Sequence, residues 1–165
     1  MKYLQLKFDE QKSDVIEHDG RQYYRSYRIG TTEKLYLRFT FISTASEYTQ
    51  AIVIFLPSKF HGEVRVGNKT VEVKGHKFPK VILWSDVCPR EVEVYISNVN
   101  GDVEVCNGSD PLGTKTICYC LARGSAMHME QLSPSKYRFY CNDHVFDEDF
   151  DDLVFEMEIE KANLK

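Results

Sequence analysis

An acidic stretch near the end of the chain carries the residues best suited to chemistry. Between Cys141 and Glu160 the sequence has nine Asp and Glu residues and no Lys or Arg. Carboxylates crowded in this way repel one another, and the repulsion is relieved when they spread into solvent or bind a cation. Six of these acids fall within ten residues: Asp143, Asp147, Glu148, Asp149, Asp151 and Asp152.

Calcium is the cation that such a stretch suits best. It takes six to eight oxygen ligands in irregular geometry, which Asp side chains and backbone carbonyls of a short loop can supply. An EF-hand is excluded, because Asp152 would stand where that loop requires glycine. The alternative is a solvated turn that blunts the final strand against edge pairing. The predicted calcium ligands are Asp143, Asp147, Asp149, Asp151 and Asp152.

The residues after the acidic stretch determine where the last strand begins. Leu153, Phe155 and Met157 alternate with polar residues, so the odd positions face the core. Extending that strand backwards would bury Asp151 and Asp149, which is too unfavourable for unpaired carboxylates. The strand is therefore predicted to begin near Asp152, with the acids in a loop before it.

The run from Asp147 to Phe155 also resembles a known family. It is similar to the Asp-x-Asp-aromatic-Asn/Asp-Asp-Leu/Val-Val motif that closes certain bacterial β-sandwich domains of the PEP-CTERM-associated type. The resemblance covers about two dozen of the 165 residues. It implies a β-sandwich on a secreted or surface protein, with Asp147, Asp149, Asp151 and Asp152 as calcium ligands and Phe150 wedged under the loop.

The cysteines and histidines do not form a recognisable metal or catalytic motif. An odd number of cysteines without a signal sequence favours reduced thiols. A zinc site from Cys106, Cys118, Cys120 and Cys141 is disfavoured, because Cys-x-Cys is not the usual ligand spacing and no second pair follows. Cys141 and His144 would need an orienting group and an oxyanion site to act as a nucleophilic pair. The sequence therefore favours a protein without catalytic activity.

A second candidate for ligand binding mixes aromatic and basic residues. On a strand Tyr23, Arg25 and Tyr27 would share one face, which could stack a sugar ring or a nucleobase. Tyr and Arg are also ordinary strand residues, so a purely structural role is the alternative.

The elements that must hold these residues are strands, because apolar and polar residues alternate along most of the chain. Gly67-Asn68 and Asn100-Gly101 separate such runs and predict tight antiparallel hairpins. Ala51 to Leu56 is apolar at every position, which predicts a strand buried on both faces. Further strands are predicted at Lys2–Phe8, Gln22–Ile29, Leu35–Ile42, Val81–Ser85, Val103–Cys106, Thr116–Ala122, Ala126–Gln131 and Tyr137–Cys141.

About a dozen short strands predict one all-β domain over residues 1–165, an antiparallel β-sandwich of jelly-roll or related Greek-key kind. A chain of this length buries about 70% of its unfolded surface, so its core needs neither disulfides nor a metal.

The first residues lack the apolar run of a secretory signal, and no apolar stretch reaches the ~20 residues that span a bilayer. We therefore expect a cytoplasmic protein that does not enter a membrane.

The charge pattern and the motifs together suggest a function class. The net charge is −4 and the negative charges concentrate near one end of the chain, which argues against nucleic acid as a partner. We expect a non-catalytic binding or interaction module with a calcium-binding acidic loop, its partner a protein or a carbohydrate. The alternatives are an assembly protein that joins copies of itself or a partner through a sheet face or edge, and a carbohydrate-binding module using the Tyr23 strand.

Overall fold

A computed structural model describes residues 4–31, 33–73, 79–119, 125–145 and 149–161 of the chain. These residues form two antiparallel sheets that pack face to face as a β-sandwich, together with one short helix. The predicted all-β sandwich is thereby confirmed. Within the described residues, no helix has the length and apolar character needed to cross a membrane.

The larger sheet has nine strands and the smaller has four. In spatial order the larger sheet contains β1 (Val15–His18), β2 (Arg21–Tyr24), β11 (Ala126–Ser133), β12 (Lys136–Asn142), β13 (Leu153–Lys161), β4 (Leu35–Thr44), β9 (Glu91–Ile96), β6 (Val64–Val66) and β7 (Lys69–Val71). The smaller sheet contains β3 (Tyr27–Thr31), β10 (Gly101–Asp110), β5 (Thr49–Phe55) and β8 (Lys80–Trp84). The chain crosses between the sheets repeatedly from β3 to β11, which is typical of Greek-key sandwiches.

The core lies between the two sheets and follows the alternation of the strands. On β13, Leu153, Phe155 and Met157 are fully buried, which confirms the predicted inward phase of this strand. Phe155 stacks on Phe139 of β12, with ring centroids 5.0 Å apart. The strand begins at Leu153, so the acidic residues precede it as the register argument requires.

The strand that is apolar at every position is central in the smaller sheet. β5 pairs with β10 on one side and β8 on the other, and Ala51 to Ile54 are completely buried. The outer side is covered by the segment after β10, because a Cβ on Gly108 would meet both Ile117 and Val53. Burial on both faces explains the lack of alternation in this strand.

The first predicted strand is wrong, because the chain forms a helix there. Helix α1 spans Leu4–Gln11 and buries Leu4 and Phe8, while Leu6 is 49% exposed. Leu4, Leu6 and Phe8 fit the period of a strand, but Leu4 and Phe8 are also one helical turn apart and share a helix face. The helix buries this face in a second apolar cluster with Ile16, Ala126 and Phe150.

Turn chemistry accounts for further differences from the predicted strands. Gly67, with φ of 60°, makes the expected hairpin between β6 and β7. Asn100-Gly101 does not make a hairpin, because β9 and β10 belong to different sheets and Gly101 lies where the chain crosses between them. A hairpin forms instead at Asp19-Gly20, whose φ angles of 52° and 76° suit the tight turn between β1 and β2.

Two strands have different limits from those predicted. β10 continues through Asp110, although Asn107-Gly108-Ser109-Asp110 has the composition of a turn. The expected strand Thr116–Ala122 is reduced to a single bridge between Cys118 and Ser109, and its residues from 120 onward lie outside the described chain.

Candidate functional site

The acidic turn, defined here as the described residues 143–145 and 149–152, lies between β12 and β13 at one end of the sandwich. Asn142 ends β12 with its side chain buried, and its Oδ1 accepts a hydrogen bond from the backbone N–H of Phe150 at 2.8 Å. Phe150 has φ of 55°, a left-handed conformation that stops the chain from continuing as a strand. This hydrogen bond and the left-handed conformation of Phe150 turn the chain back towards β13.

Phe150 anchors the acidic turn in the second apolar cluster. Its side chain is 6% exposed, and its ring lies 5.2 Å from Tyr23 and 5.3 Å from His128, measured between centroids. Burial lowers the pKa of His128, as does the nearby charge of Arg21, so a neutral imidazole is favoured under Phe150. The turn therefore rests on an apolar base that includes helix α1.

Asp143 is a structural residue of the turn, with a carboxylate already engaged by the protein. It is 1% exposed, and its Oδ1 accepts the backbone N–H of Val145 at 2.8 Å. Its Oδ2 accepts hydrogen bonds from Ser46 Oγ and, at 3.3 Å, from Gln50 Nε2. Hydrogen bonding of this kind satisfies the buried charge without a cation.

Asp149, Asp151 and Asp152 form the group that can share an ion. One carboxylate oxygen of each lies within 4.8 Å of the others. Asp149 and Asp151 are exposed, whereas Asp152 is 4% exposed and its Oδ2 accepts the backbone N–H of Asp143 at 2.9 Å. Among the described residues no other group of three His, Cys, Asp or Glu side chains meets this spacing. Asp147, the remaining predicted ligand, lies outside the described residues.

The carboxylates of Asp149 and Asp151 disfavour each other's negative charge. Partial desolvation raises the pKa of Asp151, and the adjacent Asp149 carboxylate raises it further through a side-chain hydrogen bond and repulsion. A raised pKa means that the protein environment disfavours the second negative charge. A bound cation would remove that penalty.

Beneath the turn lies a polar end of the core that sequence reasoning missed. Asn107 of β10 donates through Nδ2 to the carbonyl oxygen of Asn142 at 2.6 Å, and Ser109 Oγ lies 2.8 Å from His144 Nδ1. Gln50 Oε1, Asn107 Oδ1 and Asn142 Nδ2 are buried without a hydrogen-bond partner in the described part of the chain. In the sequence, the only indication of this polar region is the run of polar residues after Cys106. The composition of that run is typical of a turn, so it does not predict a buried strand.

Cys141, which lies near His144 in the sequence, is part of the core between the two sheets. Cys141 is completely buried, and burial raises the pKa of its thiol well above the usual value, as does the charge of Asp152. The reactive thiolate is therefore disfavoured. Cys106 is also buried, and Cys120 lies outside the described residues.

The predicted face of Tyr23, Arg25 and Tyr27 does not form. The expected strand Gln22–Ile29 breaks after Tyr24, so Tyr23 lies in the larger sheet and Tyr27 in the smaller one. Arg25 sits at the break, where its backbone N–H donates to the Asp14 carbonyl and its guanidinium binds the Asp14 and Asp9 carboxylates. These contacts hold Arg25 at the point where the chain leaves the larger sheet.

Comparisons with models of protein families, with curated proteins and with solved structures find no match to this chain. The geometry of the chain itself therefore carries the functional argument.

Proposed function

We propose that this protein is a non-catalytic binding module whose acidic turn holds one calcium ion. The observation that carries the proposal is the approach of three carboxylate oxygens, from Asp149, Asp151 and Asp152, to within 4.8 Å of one another. Free carboxylates gain by moving apart, whereas a cation between them stabilises this arrangement. The resemblance of the sequence motif to calcium-binding loops points to the same three residues together with Asp147, which lies outside the described residues.

The donor set favours calcium over other biological cations. All three ligands are carboxylate oxygens, which suit hard cations, whereas zinc and copper prefer nitrogen and sulfur. Calcium tolerates irregular geometry and completes its shell with carbonyls and water, while magnesium demands near-ideal octahedral geometry. A turn with one buried and two exposed carboxylates fits the less demanding ion.

The rest of the turn supports the proposal by holding the ligands in place. Phe150, between Asp149 and Asp151, is seated in the apolar cluster, and Asp152 is fixed through the backbone of Asp143. Binding therefore orders only two exposed side chains, which limits its entropic cost.

Thermal unfolding with calcium tests the proposal. A ligand that binds only the folded state at about 100 times its dissociation constant adds roughly 2.7 kcal/mol, which raises Tm by about 5 to 10 °C in a domain of this size. Because weak calcium modules bind at about 10⁻⁴–10⁻³ M, the titration extends well into the millimolar range. A chelator should reverse the increase, and magnesium at equal ionic strength should produce a smaller one.

The matched variants remove the same charge from two places. The double variant Asp149→Asn with Asp151→Asn should abolish the calcium response and keep the far-UV spectrum, because neither side chain is buried. The control, Glu17→Gln with Glu72→Gln, changes exposed acids outside the turn and should keep it. An unchanged Tm across millimolar calcium, or equal loss in both double variants, would refute the site.

A further inference from the structure

The outward face of the larger sheet carries a groove of about 290 Å³ far from the acidic turn. This volume lies near the lower end of the range of small-molecule sites, about 300–1,000 Å³. Four strands of the sheet, β4, β6, β9 and β13, contribute to it. Its principal side chains are Tyr36, Arg38, Arg65, Glu93, Tyr95 and Glu160.

Two tyrosines form an aromatic floor in this groove. Tyr36 of β4 and Tyr95 of β9 are direct cross-strand partners, with ring centroids 4.8 Å apart and planes inclined by 40°. Arg65 of β6 is the next partner across the sheet, and its guanidinium lies 4.3 Å above the Tyr95 ring. Tyr36 remains 40% exposed, so an aromatic surface is available to a ligand.

The polar groups of the groove carry both signs of charge, and several of them form ion pairs. Arg38 lies between two acids, with its guanidinium 3.1 Å from Glu93 and 3.9 Å from Glu158. Arg65 is held by Glu63 at 3.1 Å. Ion pairing orients these side chains, while guanidinium N–H groups and carboxylate oxygens remain exposed to solvent.

We propose that this groove binds a short, neutral saccharide with one sugar ring stacked on Tyr36. The C–H face of a pyranose is apolar and packs well on an aromatic ring. Sugar hydroxyls both donate and accept hydrogen bonds, so they match a rim in which the guanidinium groups of Arg38 and Arg65 donate and the carboxylates of Glu93 and Glu160 accept.

The charges of the groove disfavour ionic ligands. Three carboxylates and two guanidinium groups line it, so a phosphate or another polyanion would face repulsion from Glu93, Glu158 and Glu160. A cationic ligand would meet the two guanidinium groups of Arg38 and Arg65, against which the groove has one more carboxylate. A neutral, hydroxyl-rich molecule satisfies both signs together.

The saccharide site is independent of the proposed calcium site. Asp152 precedes β13 and Glu160 lies near its end, so the two residues are eight positions apart on an extended strand, roughly 26 Å. The groove also faces outward from the sheet, whereas the acidic turn closes one end of the sandwich. Saccharide binding should therefore persist in chelator and in the Asp149→Asn, Asp151→Asn variant.

The experiment combines a glycan array with nuclear magnetic resonance. The full chain is applied to an array of neutral and charged oligosaccharides, and the strongest neutral binder is titrated into ¹⁵N-labelled protein. We expect chemical shift changes at the amides around Tyr36, Arg65 and Tyr95, and a weaker or absent response to charged glycans. No binding to any neutral glycan, or shifts confined to another surface, would overturn the proposal.

Variants at Tyr36 separate ligand binding from sheet stability. Tyr36→Thr keeps a β-branched strand residue without the ring and should weaken binding about tenfold, whereas Tyr36→Phe should bind nearly as well as the original protein. Thr40→Ala, on the same face of β4, is the matched control and should leave affinity unchanged. If Tyr36→Thr does not fold, Glu160→Ala removes an acceptor at the exposed rim of the groove and should also weaken binding. Unchanged affinity in folded Tyr36→Thr, or in Glu160→Ala where that variant takes its place, would refute saccharide binding in this groove.

Discussion

Neighbouring aspartates in the acidic turn have opposite roles that depend on burial. Asp143 is enclosed and hydrogen-bonded by Ser46, Gln50 and Val145, so its charge stabilises the turn without an ion. Asp149 and Asp151 are exposed and lie close to each other, so the ionised form of Asp151 is disfavoured in the folded chain. The sequence shows six similar acids, and among the four that the structure describes, Asp143 and Asp152 are buried and hydrogen-bonded within the turn, whereas Asp149 and Asp151 are exposed.

The raised pKa of Asp151 predicts how a single substitution affects stability without calcium. As pH rises through the usual Asp pKa, about 3.9, the unfolded chain loses the proton first, so the ionised group disfavours the folded state at neutral pH. Asp151→Asn should therefore raise the free energy of unfolding by about 0.2–1 kcal/mol at pH 7 in chelator. The gain should shrink as the pH falls towards about 4.

Urea unfolding at several pH values measures this effect. Saturating calcium should reverse the order of stability, because the variant loses a ligand while the original protein gains binding energy. Glu17→Gln, which removes an exposed acid outside the turn, serves as the control and should change stability little at any pH. A variant that is less stable than the original protein in chelator would show that Asp151 is not under electrostatic strain.

At the scale of elements, the short helix α1 supports the acidic turn. It spans only Leu4–Gln11, yet Leu4 and Phe8 complete the apolar cluster that seats Phe150. Arg25 adds to this packing with its guanidinium 5.4 Å from the Phe8 ring centroid. The helix therefore acts as the support of the acidic turn.

Removing the central side chain of this support should affect both stability and binding. Phe8 is fully buried, so Phe8→Ala should lower the free energy of unfolding by about 3–5 kcal/mol, as for other large-to-small core substitutions. It should also weaken calcium binding, because Phe150 loses a neighbour. Leu6→Ala, on the exposed side of the same helix, should change stability by less than about 0.5 kcal/mol. Equal effects of the two substitutions in denaturant unfolding would contradict this role of the helix.

Some strands and helices of this fold can be predicted from the sequence, and others cannot. Strands with one buried face, such as β4, were predictable because alternation reflects burial directly. Helix α1 was not, because Leu4, Leu6 and Phe8 fit the period of a strand while Leu4 and Phe8 also fit that of a helix, and only the apolar cluster beneath Leu4 and Phe8 selects the helix. The break after Tyr24 depends on ion pairs between Arg25 and distant aspartates, and local patterns contain no information about such contacts.

The candidate sites differ in how far the sequence predicts them, because some sites are local in sequence and others are assembled by contacts between distant strands. The acidic turn is local in sequence, so the crowding of Asp149, Asp151 and Asp152 could be anticipated before the fold was known. The groove at Tyr36 and Tyr95 is assembled from four strands, and its residues are adjacent only after those strands pair. The buried polar end of the core, with Asn107 and Asn142, likewise exists only through contact between the two sheets.

At the scale of the whole molecule, the sandwich keeps its two proposed sites apart. The larger sheet carries the saccharide groove on its outward face, and the acidic turn lies at the start of β13, roughly 26 Å from Glu160. No titrating group is shared between the two sites, so ligands should bind to each with little effect on the other. The rigid, paired strands hold the groove, whereas the acidic turn is held by Phe150 and Asp143.

The most direct test of the calcium proposal is a calcium titration followed by the backbone amide signals of ¹⁵N-labelled protein. We expect saturable chemical shift changes that correspond to one calcium ion per chain and are confined to residues 142–153 and their neighbours. These changes should be absent in the Asp149→Asn, Asp151→Asn variant. Unchanged spectra up to several millimolar calcium, or saturable shifts centred on another part of the sandwich, would contradict it.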